Sequence, residues 1–155
     1  MNDFVSTDHP CPARRRWMAT LARATADRIA ALLEECAKLP GYAIIRGPEA
    51  GLVMARGRTG GGGSAFNLGE ISVTRCTVRT DAGFVGHAYV AGREERRAEL
   101  AAVVDALMQD QAWTADVEAR VIAPLHREQA ELAATRAAKA AATRVQFFAM
   151  QTMRT

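Results

Sequence analysis

Cysteine is scarce in this chain: its 155 residues include three, Cys11, Cys36 and Cys76. An odd number, with no C-x-x-C spacing and no histidine pair nearby, supports neither a disulfide framework nor a structural zinc site and fits a reduced, cytoplasmic protein. Long apolar runs are also missing. No stretch approaches the roughly 18 consecutive apolar residues of a membrane span. The opening MNDFVSTDHPCPARRRW puts its arginines after a polar stretch and lacks the apolar run of an export signal. Lysine is nearly absent, with Lys38 and Lys139 against 18 arginines. Aromatic residues make up only 6% of the chain, which leaves few rings beside the arginines on which bases could stack.

What the chain has in quantity is arginine and alanine. The net charge of +3 is carried almost wholly by arginine, against 17 acidic residues. Arginine suits bidentate binding of phosphate or carboxylate, so anionic substrates, nucleic acid and acidic partners all fit. The 32 alanines fit a simpler cause, since a GC-rich coding bias raises both residue types together. A small nucleic-acid-binding protein is the alternative reading of the arginine excess. The modest charge and the acidic residues weigh against it.

The length suits one domain, expected over residues 14–155 after a disordered arm, 1–13. RRRWMATLAR and then TADRIAALLEECAKLPGY read as helices, the second capped by Thr25, with Asp27 in its first turn and Pro40-Gly41 at its end. The period then shortens. YAIIR and GLVMARG, separated by the turn cluster GPEA, predict a hairpin. EISVTRCTVRT passes through TDAG into FVGHAYVAG. Together these predict an antiparallel meander of about four strands. Helix resumes in GREERRAELAAVVDALMQDQ, where Leu100, Val104, Leu107 and Met108 share a face. Thr114 is placed to cap TADVEARVIAPL, and Pro124 interrupts or restarts a helix that continues alanine-rich to about Met153. Strands segregated from helices in this way predict an α+β fold: N-terminal helices, a central meander and C-terminal helices.

GRTGGGGSAF, Gly57 to Phe66, invites a phosphate-loop reading and fails it. No lysine follows the glycines, and the next element reads as strand rather than helix. A mobile connection between two strands is the better reading. The start YVAGREERR is a better anion candidate, because Gly92 leads into a helix N-terminus with Arg93, Arg96 and Arg97 in its first turns. Pairing of those arginines with Glu94, Glu95 and Glu99 is the competing reading. Arg75 and Arg79, at i and i+4 of a strand, share one face, open either to solvent or to a partner. His9, His87 and His126 have no nucleophile or carboxylate at a spacing that suggests a dyad, so no catalytic residue and no metal site is assigned. Near the C-terminus, Val145, Phe147, Phe148, Met150 and Met153 surround a helical axis. A helix apolar all round needs enclosure, by a partner or by its own sheet.

Taken in order, RRRWMATLA, FNLGEISVTRCTVR, YVAGREERRAELAAVVDALMQ, VIAPL and TRVQFFAM resemble the PhnG family, a subunit of the bacterial carbon–phosphorus lyase core complex. The likeness runs from about Arg14 to Met153. The four-glycine run departs from it in being longer, and the arm before Arg14 matches nothing. The resemblance implies partners of the PhnI, PhnH and PhnJ types and the PhnL protein. It also implies a shared reaction, in which a phosphonate such as methylphosphonate displaces adenine from ATP to give α-D-ribose 1-methylphosphonate 5-triphosphate, before a radical-SAM subunit cleaves the carbon–phosphorus bond. PhnI is the implied catalyst, and this chain supports it with no cofactor of its own, ATP being a substrate of the assembly. An arginine reaching the triphosphate across an interface would be Arg75 or Arg93.

Overall fold

The computed structural model describes residues 12–36, 38–58 and 63–144. Two helices open the fold, α1 (Pro12–Leu21) and α2 (Ala26–Glu34). The Thr25 hydroxyl accepts from the Arg28 amide at 3.3 Å, which is the cap expected from sequence. The helix ends earlier than Pro40-Gly41, with Glu35 as its C-cap.

The sheet has three strands in the order β1-β2-β3, all antiparallel: β1 (Tyr42–Gly57), β2 (Phe66–Thr80) and β3 (Val85–Ala91). The expected hairpin at GPEA does not form, which reduces about four strands to three. Its residues lie inside β1, whose register against β2 shifts between Ile44 and Arg46 and again between Arg46 and Glu49. The edge position of β1 makes this possible, because Pro48, without an N–H, breaks no ladder on its open side. Gly47, at φ 73, presses so closely on β2 that a Cβ there would lie 2.5 Å from the Arg75 carbonyl oxygen. Only glycine fits both demands. The turn at TDAG forms as expected, with the Gly83 amide donating to the Thr80 carbonyl at 2.8 Å. GRTGGGGSAF joins strands that pair with each other up to Gly57↔Phe66; residues 59–62 of it lie outside the described residues.

Helix α3 (Glu95–Leu107) crosses the sheet and is the centre of the core, with Ala98, Ala101, Ala102, Val103, Val104, Asp105, Ala106 and Leu107 all buried. It is enclosed on more sides than the one apolar face expected from sequence. Its close approach to β3 depends on Gly86, since a side-chain carbon there would collide with the Ala102 carbonyl and the Ala106 amide. Thr74, Cys76, Val78 and Thr80 of β2 are buried against this helical layer, together with Ala88 and Val90 of β3. The fold is therefore α+β, with helices covering one face of an antiparallel sheet.

After α3 come α4 (Gln111–Val117), a π-helical turn (Glu118–Ile122) and α5 (Ala123–Ala142). Asp110 caps α4 by accepting from the Ala112 amide at 2.9 Å. Thr114, expected to be the cap, instead donates its hydroxyl to the Asp110 carbonyl at 2.7 Å. Both are capping residue types, and the earlier one serves as the cap. The π turn lies where Pro124 was expected to interrupt: the Ala123 amide reaches back five residues to Glu118. The proline then occupies the first turn of α5, where an N–H is not needed. Leu125 is buried, whereas every residue from Ala130 to Arg144 is exposed. The apolar positions Val145, Phe147, Phe148, Met150 and Met153 lie outside the described residues, as does the arm before Pro12.

Candidate functional site

Three groups of polar side chains stand out, and the first is buried. Asp105 is fully enclosed, yet it lies in an apolar run and was not singled out from sequence. Its carboxylate accepts from Arg14 Nη2 at 2.7 Å, from Trp17 Nε1 at 2.8 Å and from the His87 backbone amide at 2.8 Å. Gln109 completes the knot by donating to the Val85 carbonyl at 2.8 Å. One carboxylate thus binds α1, α3 and β3 together, with its lone pairs satisfied as a buried charge requires. The sequence did carry a signal: a single acid inside LAAVVDALMQ and a distant RRRW able to answer it.

The second group lies on the sheet face turned away from the helices. Glu49 Oε1 accepts from Arg46 Nε at 2.8 Å and from Arg75 Nε at 2.7 Å. These two hydrogen bonds hold the Glu49 carboxyl below the usual carboxylate range. The same contact raises Arg75, with Tyr89 adding to it from the neighbouring strand. Thr77 and His87 face each other next in register, 3.1 Å apart between Oγ1 and Nδ1. Arg79 is exposed on this same face, as its spacing from Arg75 predicted. An anion arriving at Arg75 would compete with Glu49 for the guanidinium.

The third group is the junction of β3 with α3. Gly92, at φ 97, donates its amide to the Ser72 carbonyl at 2.8 Å, and its own carbonyl accepts from Thr74 Oγ1 at 2.7 Å. That amide is therefore occupied within the fold. Arg93 and Arg96 are exposed. Arg97 turns back instead, donating to the Ala91 carbonyl and lying 3.6 Å from Glu94. The competing sequence reading, in which these arginines pair with local glutamates, holds for Arg97. The Glu49 cluster and the Gly92 bonds share no residue.

An apolar groove of about 490 Å³ runs between α2 and α3, lined by Leu33, Leu39, Leu100 and Val103, with Lys38 and Arg96 also in its wall. Tyr42, at one end, donates its hydroxyl to Glu99 Oε1 at 2.7 Å. Burial, helped by that hydrogen bond, pushes its phenol up to about 12. Burial likewise raises the thiols of Cys36, which lines the groove, and Cys76. Both stay protonated near neutrality and are poor nucleophiles. Among the described residues, no three His, Cys, Asp or Glu side chains gather as a metal site, and no helix is long and apolar enough to cross a membrane.

Comparison with known proteins agrees with the segment order noted above. The family model for phosphonate metabolism protein PhnG matches residues 12–153. A protein of Rhizobium meliloti (strain 1021), named alpha-D-ribose 1-methylphosphonate 5-triphosphate synthase subunit PhnG, is 46% identical over 149 residues. That alignment covers 94% of this chain and 93% of the relative. Neither comparison supports the nucleic-acid alternative. With a match that spans the helices, the sheet and the α3 segment alike, the chain belongs to the PhnG family of phosphonate metabolism proteins.

Proposed function

We propose that this chain is a supporting subunit of an α-D-ribose 1-methylphosphonate 5-triphosphate synthase within a carbon–phosphorus lyase core complex, with no active site of its own. The observation that carries the reading is the near full-length match at 46% identity to a protein named as that subunit. The geometry agrees in kind. The buried carboxylate is consumed by structural bonds and the thiols are held protonated. The reaction of the assembly is displacement of adenine from ATP by a phosphonate such as methylphosphonate, in the cytoplasm. ATP is a substrate of the complex and not a cofactor of this chain.

The partners in this reading are PhnI-, PhnH- and PhnJ-like subunits and a PhnL-like protein. Residues 14–155 act as one domain, and the tail bearing Val145, Phe147, Phe148 and Met150 docks onto a partner. Arg75 and Arg93, both exposed enough to be reached, are the residues of this chain assigned to contact the triphosphate across an interface. The test is reconstitution. The isolated chain should release no adenine from ATP and methylphosphonate, whereas the assembled set should lose turnover when this chain is left out. Full activity without it contradicts the reading. Arg75→Ala or Arg93→Ala should lower turnover with assembly intact, and unchanged kinetics for both removes the trans contact. Truncation after Arg144 should abolish co-purification with the PhnI-like subunit, and normal assembly removes tail docking.

A further inference from the structure

The β1–β2 ribbon runs on well past the sheet. β3 pairs with β2 only from Val73 to Arg79, yet β1 and β2 continue as a pair through Leu52↔Ser72, Val53↔Ile71 and Met54↔Glu70 to Gly57↔Phe66. The far end is a two-stranded arm, a structure with little stability in water by itself. Five of the ten large hydrophobic side chains exposed among the described residues lie on it: Leu52 at 59%, Met54, Phe66, Leu68 at 53% and Ile71. Residues directly opposite in a ladder share a face, so Leu52 and Met54 continue the helix-side face defined by Thr74, while Ile71 lies on the other. Both faces of the arm are thus apolar. Among the described residues its β1 edge also has no strand beside it, β1 being the first in the order.

We infer that this arm is a docking element that enters a groove on another subunit of the synthase, with apolar walls on both sides and carboxylates at the rim. The inference rests on the subunit reading proposed above and assigns it a surface. Apolar side chains on both faces call for an occupant that encloses the arm rather than one that only lies against it. The rim is specified by charge. Arg56 and Arg58 stand at the tip and Glu70 is the lone acid on the arm, so an acidic rim complements it. Two copies stacked tip on tip would set Arg56 and Arg58 against their own counterparts.

The test uses the full chain, tagged and co-expressed with the remaining synthase subunits. Leu68→Asp and Leu52→Asp should each cut the recovered partner subunits by about tenfold or more, with the thermal midpoint of the isolated chain unchanged. The double reversal Arg56→Glu, Arg58→Glu should weaken recovery as well. A photo-crosslinking residue at Leu68, in an otherwise native complex, should attach to a different subunit. Undiminished recovery of partners by all three variants overturns the arm and leaves the subunit reading standing. A wild-type chain that recovers no subunit overturns both. Crosslinking only to a second copy, with light scattering showing a dimer that Leu68→Asp dissociates, also overturns the proposal, because the occupant would then be the chain itself.

Discussion

The two ends of the sheet are built to opposite rules. Where β3 is present, the sheet is covered by α3, spacing is set by Gly86, and one carboxylate, Asp105, bonds three elements at once. Where β3 stops, the same two strands continue with none of the described helices over them and with large apolar side chains exposed. Helix α5 repeats the contrast along its own length, anchored by Leu125 and by the Gln129 side chain donating to the Thr20 carbonyl at 2.9 Å, then exposed from Ala130 onward. The closed end makes the chain a folded body, and the open parts mark it as part of something larger. A protein that works alone has little reason to keep such an arm.

The sharpest way to break the contrast is at Gly86. Gly86→Val should cost at least about 3 kcal/mol through a backbone clash that no rotamer relieves, read as loss of soluble, folded chain; a folded variant with an unchanged midpoint would mean α3 is not seated as described. Next comes Asp105→Ala, expected to cost about 3 kcal/mol in denaturant unfolding, the low end for a broken buried pair because Arg14 keeps a route to water while Asp105 has none. A cost near zero would show that the knot holds nothing. On the open side the expectation reverses. Leu68→Asp should change the stability of the isolated chain by no more than about 0.5 kcal/mol, as a solvated substitution does, and a large loss would place the arm within the folding core.

The smallest effect concerns pH. The Tyr42 phenol rises from an ordinary 10.0 to about 12 in the folded chain. The folded state therefore holds this proton more tightly than the unfolded state. Its contribution is complete below pH 10 and is lost as pH climbs toward 12. Tyr42→Phe should flatten the fall of the thermal midpoint across that window, by a modest amount because the ring is 40% exposed. Identical slopes for the two proteins would show that the Tyr42 phenol is not raised by burial and its Glu99 hydrogen bond in the folded chain.

The order of helices, sheet and helices was legible in the sequence because it rests on local signals: the change of period at Tyr42, the cap at Thr25 and the glycine of TDAG. GPEA was misread because a turn and an edge-strand bulge use the same residues. Only the position of β1 at the sheet edge, a tertiary fact, distinguishes them. Asp105 escaped for a related reason: its side-chain partners Arg14 and Trp17 lie 91 and 88 residues away in sequence, beyond any periodicity. Arg75 was correctly placed on a strand face, but its neutralisation by Glu49 depends on the bulged register that brings β1 opposite. The exposed arm was invisible in sequence, since GLVMARG and EISVTRCTVRT read as ordinary strands, the second only from Glu70 although the strand begins at Phe66, and only the shortness of β3 uncovers them.

Amide hydrogen exchange, followed on the isolated chain and again within the assembled complex, tests the contrast between closed and open ends most directly. Helix α3 and β3 should be protected in both, while residues 52–57 and 66–72 should exchange quickly alone and become protected on assembly. An arm already protected in the isolated chain, or one whose exchange is unchanged by assembly, would contradict that contrast.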